Sequence, residues 1–221
     1  LVFLLTIPSA CGLIVLGEPI VRLIYEGGRF TALDTNMTSW ALTAYSIGLA
    51  GYAAIKIISP SFYALDDAKT PMYVSLASIV VHVGMSFGMM RLLSSVGVSP
   101  DRPNGFGHVG VALATSTVAL VNFLALTFLM RKRINGINGG AVLKALAKIA
   151  AAAAVMSGAC WFSYYFLHQF FAGRDVFARL IEAFVPIGIG GISFLVTAKL
   201  LKISEVSKIY NTVSRKLGRT K

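Results

Sequence analysis

Lys56 is the side chain whose chemistry packing explains least. It lies in the apolar stretch from Met37 to Leu65, roughly nine residues, or about 13 Å at the 1.5 Å rise of a helix, from the nearer end. A lysine at such a depth costs about 2.5–3.5 kcal/mol on insertion scales, so it faces a water-filled cavity or a partner, or else snorkels its ammonium to the headgroups. Four residues on, Pro60 lacks the N–H that would bond the Lys56 carbonyl. One turn therefore carries an ammonium and a freed carbonyl at an expected kink, an arrangement suited to an anionic ligand. Cavity and snorkel are both compatible with the sequence.

The other groups capable of chemistry are scattered. Of the nine acids, Glu18, Glu26, Asp34, Asp66, Asp67, Asp101, Asp175, Glu182 and Glu205, all read as helix-end or loop residues. Neither a catalytic carboxylate pair nor an intramembrane proton relay is expected from them. His82, His108 and His168 fall in three different apolar stretches without metal-binding spacing. His108 and His168 read as interfacial, and His82 as a deeper histidine bonded to a neighbouring helix. Cys11 and Cys160 lie inside separate apolar blocks and read as small packing residues. No catalytic residue, metal or cofactor is expected, and the chain does not read as an enzyme.

The elements that position these residues are long and apolar. Only 13% of residues are charged against 56% hydrophobic, with a mean hydropathy of +0.75; a soluble domain carries about 25% charged residues. Six stretches exceed the minimum for a membrane-crossing helix: Leu1 to Tyr25, Met37 to Leu65, Met72 to Leu93, Gly107 to Met130, Val142 to Leu167 and Phe177 to Leu201. Glycine, proline and charge punctuate the segments between them. In the first stretch, Pro8 and the triplet Gly17, Glu18, Pro19 threaten to break the helix. Small residues at Gly48 and Gly51, Gly84 and Gly88, Gly110 and Ala114, and Gly188, Gly190 and Gly191 mark expected helix contacts. The fold class is all-α, a polytopic membrane protein.

The formal charge of +11 sits at the ends of apolar blocks, as topology signals do, and not in a stripe with interleaved aromatics; nucleic acid is excluded as a partner. With alternating helices, Lys69, the group Arg131, Lys132, Arg133, Lys144 and Lys148, and the C-terminal lysines and arginines all fall on one side. That side is richer in Lys and Arg and should be cytoplasmic. The tail from Ser204 to Lys221 is basic, with Val206, Ile209, Tyr210, Val213 and Leu217 at near-helical spacing. It reads either as an interfacial helix on anionic lipid headgroups or as a solvated extension. Leu1 opens inside an apolar run, which suggests a longer parent chain with a missing N-terminal part.

Several stretches resemble the MurJ (MviN) lipid II flippase family. Ile7 to Leu13, Glu18 to Val21 and Gly28 to Thr31 match one helix of that family. More specific are Ala44 to Leu49, Lys56, Pro60-Ser61-Phe62-Tyr63-Ala64, and Asp66 to Pro71. The resemblance implies the C-terminal half of a 14-helix transporter of the MOP superfamily working by alternating access. Residues 1–133 would be helices of the C-terminal lobe, 134–203 two additional helices lining a groove for a lipid tail, and 204–221 a basic cytoplasmic tail. It further implies lipid II as substrate, the missing N-terminal lobe and membrane lipids as partners, a bacterial inner-membrane location and Lys56 as a cavity cation. Some relatives hold a monovalent cation where His82 and Ser86 stand here, a departure that removes the usual ligand types. Rival readings are a flippase for another polyprenyl-linked oligosaccharide, a cation/drug antiporter of the same superfamily, and a non-transporting membrane scaffold. The antiporter lacks the buried carboxylates it would need.

The orientation has a direct test. Cysteines placed at Asn104 and Asn138 should label from opposite sides, Asn104 with an impermeant reagent on intact cells and Asn138 only after lysis. Labelling of both from outside would overturn it.

Overall fold

The structure, a computed structural model, describes residues 2–98, 105–134, 139–170 and 176–202. The basic tail from Ser204 to Lys221, Asn104 and Asn138 lie outside the described residues. Six α-helices follow in order: α1 (Val2–Tyr25), α2 (Ala32–Tyr63), α3 (Lys69–Ser94), α4 (Gly107–Arg133), α5 (Gly139–Phe170) and α6 (Val176–Leu200). All six are long and apolar enough to cross a membrane. In hydrocarbon each backbone N–H and C=O has to be satisfied within its own segment, and a helix does that.

Helix ends show where local chemistry overrules hydropathy. α2 begins at Ala32, ahead of the apolar stretch that starts at Met37, because Thr31 and Asp34 form a reciprocal cap. The Asp34 carboxylate accepts the Thr31 N–H at 2.8 Å, and the Thr31 hydroxyl accepts the Asp34 N–H at 3.4 Å. α1 runs unbroken through both Pro8 and Pro19, against the expected break. In an apolar medium no water competes for the freed carbonyls, so the helical ladder on either side of each proline persists. Between α2 and α3 the chain reverses at Asp66, which takes a left-handed φ of 56°. The Phe62 carbonyl, at the end of α2, accepts N–H groups from both Leu65 and Asp67 at 3.0 Å.

Contacts divide the helices into two compact units. One holds Phe3–Pro19 of α1 with α5 and α6; the other holds residues 20–25 with α2, α3 and α4. In the second unit α4 is central. It runs parallel to α2, with Met37 opposite His108, Ala44 opposite Ser116 and Phe62 opposite Leu126. It runs antiparallel to α3, with Met89 opposite Gly110 and His82 opposite Thr115. Gly48 makes the α2–α4 approach possible: a Cβ there would stand 2.6 Å from the Ser116 Cα. The Ser116 hydroxyl donates across the same gap to the Ala44 carbonyl at 2.6 Å. Phe62, Leu126 and Met130 close the far end as a buried cluster.

In the first unit α5 and α6 pair antiparallel. Gly190 accommodates the Cys160 sulfur, whose S–H points to the Pro186 carbonyl at 3.4 Å. Not every small residue marks a contact. A Cβ at Gly84, Gly88, Gly188 or Gly191 would meet nothing within 4 Å. α3 turns His82 and Met89 toward α4, which leaves Gly84 and Gly88 on a face without a partner among the described residues.

The Gly48–Ser116 approach yields a sharp expectation. Gly48→Ala adds one methyl against backbone and should destabilise the α2–α4 pair by about 1–3 kcal/mol, the usual cost of overpacking a tight contact. Denaturant-induced unfolding in detergent, compared with Gly84→Ala, measures it; equal stability of the two variants would contradict the packing.

Candidate functional site

Lys56 lies on the C-terminal half of α2 and is exposed, with no hydrogen-bond or ion-pair partner among the described residues. Its neighbours on the helix surface are the part that hydropathy conceals. Tyr45, Tyr52, Lys56 and Tyr63 are spaced by seven, four and seven residues, which at 3.6 residues per turn brings all four within about 20° of one line along the helix. The three tyrosines are 47%, 45% and 55% exposed. The stripe lies roughly a quarter turn round from the face that α2 packs on α4 through Ala44, Gly48, Gly51 and Phe62. Three phenol groups and an ammonium thus share one unpacked face of a membrane helix. Its seven-residue spacing was legible in the sequence, but aromatic residues in an apolar stretch read by default as lipid-facing.

Pro60 is exposed one turn beyond Lys56, and α2 continues as helix to Tyr63. The Ser61 hydroxyl donates to the Ile57 carbonyl at 3.0 Å, so the turn around the proline keeps a side-chain bond where the backbone ladder loses one.

His82 and Ser86 occupy consecutive turns of α3. The His82 Nε2 stands 2.9 Å from the Thr115 hydroxyl of α4, which in turn donates to the Val111 carbonyl at 2.9 Å. Both contacts are satisfied together when Nε2 carries the hydrogen and donates to Thr115. The Ser86 hydroxyl is buried without a hydrogen-bond partner. Among the described residues no three of His, Cys, Asp and Glu gather in a group able to hold a metal ion.

One acid departs from its sequence reading and another keeps to it. Glu182 is no surface helix-end acid: it sits in the second turn of α6 with its side chain 3% exposed, and Oε1 lies 3.2 Å from Nδ1 of His168 on α5. A buried carboxylate demands such a partner. Its nearness to the chain segment before α6 disguised it. Asp67, in the turn after α2, accepts the Thr70 hydroxyl at 2.8 Å and the Thr70 N–H at 3.1 Å. It also pairs with Arg133, at the end of α4, at 3.2 Å. The hydrogen bonds from Thr70, aided by the Arg133 charge, hold the Asp67 carboxyl below the ordinary carboxylate value against a smaller opposing effect of burial. Asp67 thereby ties the α2–α3 turn to the end of α4.

A family profile described as lipid II flippase MurJ matches residues 1–181. A probable lipid II flippase MurJ of Thermotoga maritima is 31% identical over 209 residues, covering 93% of this chain and 37% of the relative. The lipid II flippase MurJ of Thermosipho africanus is 39% identical over 127 residues, 56% of this chain and 23% of the relative. A probable lipid II flippase MurJ of Rickettsia prowazekii is 37% identical over 119 residues, 54% of this chain and 21% of the relative. The chain therefore spans only 21–37% of the length of these relatives.

Asp67 provides a pH test of the turn. Its folded value lies below the ordinary one of about 3.9, so its stabilisation is fully present above that pH and is lost as pH falls through the folded value. Asp67→Asn should lower the thermal midpoint at neutral pH, and the gap from the parent should close below about pH 4. A gap unchanged by acidification would contradict the assignment.

Proposed function

The chain belongs to the MurJ lipid II flippase family, a family of transporters rather than catalysts, and we propose that it forms part of a carrier moving lipid II across the bacterial inner membrane by alternating access. Carriers of this kind bind at the midplane between two lobes that rock about a fixed site. The α2–α4 unit belongs to one such lobe; a second lobe supplies the facing wall. The two additional helices are α5 and α6, and the C-terminus lies in the cytoplasm.

The observation that carries this reading is the α2 stripe. Lipid II presents a pyrophosphate, sugars and a peptide on a polyprenyl tail. Lys56 supplies a cation for the pyrophosphate, and charge-assisted hydrogen bonds are the strong ones. Tyr45, Tyr52 and Tyr63 supply ring faces for sugars and phenol groups for their hydroxyls. Pro60 aims this turn toward the cavity. An ion site at His82 and Ser86 is disfavoured, because the usual ligand types are absent and His82 is engaged by Thr115 of α4.

Substitution in the protein as it functions in its cell tests the role of Lys56. Loss of one charge-assisted hydrogen bond is worth roughly 1.5–3 kcal/mol, so Lys56→Ala should slow flipping by about 10- to 100-fold while membrane levels stay normal. Lys56→Arg should retain part of the activity, because the charge survives with altered geometry. Translocation of labelled lipid II in reconstituted vesicles, together with complementation of a depletion strain, reads both. Full activity of Lys56→Ala at normal expression would identify a lysine that merely snorkels.

A further inference from the structure

The α5–α6 pair ends, where α5 begins and α6 finishes, in a concentration of positive charge that substrate handling by α2 leaves unused. The Lys148 Nζ donates to the Leu201 carbonyl at 3.0 Å and ties the two helix ends together. Lys144 lies one turn earlier on the same face of α5. Lys199 and Lys202 flank the bonded carbonyl on the other chain segment. All four lysines are exposed, and no acid occurs among residues 139–150 or 195–202. The ammonium groups of Lys144 and Lys202 have no partner among the described residues.

Two further features sit at the same end. α5 opens with Gly139 and Gly140, where a Cβ would meet nothing within 4 Å, and this is the positive end of the helix dipole. One turn inward from Lys199 along α6, on the same side of the helix, Leu195 is 59% exposed and Val196 54%. Cations with exposed aliphatic groups on their membrane side match a phosphate above and acyl chains below.

We propose that this end of the α5–α6 pair is a binding site for an anionic phospholipid. Its phosphate is held by Lys144, Lys148, Lys199 and Lys202, and its acyl chains lie on Leu195 and Val196. Charge complementarity selects this occupant: juxtamembrane lysines are attracted to anionic headgroups, whereas a zwitterionic lipid has no net charge to offer them. The site is separate from the α2 stripe and does not rest on the flippase reading.

The test titrates the purified chain in neutral detergent with phosphatidylglycerol or phosphatidylcholine and reads retained lipid by native mass spectrometry. Phosphatidylglycerol should bind preferentially. Each lysine neutralised should weaken it by about fivefold, and K144Q/K148Q/K199Q/K202Q together by about 100-fold or more. The all-arginine counterpart should keep the preference. Neutralising Arg131 and Lys132, at the end of α4, should leave it intact. Because Lys148 also holds the helix pair together, K144Q/K202Q decides alone if the quadruple variant loses helicity. Equal binding of the two lipids, undiminished affinity in the glutamine variants, or equal loss in the α4 control would each overturn the proposal. So would displacement of the lipid by millimolar inorganic phosphate, which would identify a site for a soluble anion.

Discussion

Where Ser116 of α4 meets Gly48 of α2, two helix backbones approach as closely as side chains allow. Lipid tails are as apolar as leucine, so no hydrophobic force drives two helices together in a bilayer; close packing and interhelical hydrogen bonds do it. The missing side chain at Gly48 and the Ser116 hydroxyl on the Ala44 carbonyl provide both at one point. From that point the parallel register of α2 and α4 follows. So does the burial of Phe62 with Leu126 and Met130 near the end of α2. Because that face of α2 is committed to α4, the tyrosines and Lys56 are left on an exposed face, with no helix of the same unit against it among the described residues.

α4 carries a second set of bonds on its other side, through Gly110 beneath Met89 and Thr115 at His82. The α5–α6 pair is fastened along its length as well: His168 with Glu182, Cys160 with Gly190 and the Pro186 carbonyl, and Lys148 with the Leu201 carbonyl. Both packings are thus held near their ends as well as in the middle, α2–α4 through Met37 with His108 at one end and Phe62 with Leu126 and Met130 at the other.

Hydropathy made the six spans legible, since nothing else accounts for apolar stretches of such length. The start of α2 was not, because Thr31 and Asp34 are polar and extend a helix only when they cap each other. The continuity of α1 through Pro8 and Pro19 was hidden for the opposite reason: rules for proline are learned where water competes for a freed carbonyl. Lys56 stood out because a charge among apolar residues is rare, whereas the tyrosines beside it did not, because aromatics are common in such stretches. The partnerships of Glu182, and the idle face of Gly84 and Gly88, depend on which helix lies alongside. That information belongs to the packing and not to any single segment.

α2 has the lowest hydropathy of the six spans and carries Lys56, while α4, its packing partner, has the highest. The ribosome makes α2 first, with α3 still to come before α4 emerges. For that interval Gly48 and Gly51 have no α4 backbone against them. The close packing at Gly48 forms only once α4 has been made, so the order of synthesis makes α4 the step that completes this unit.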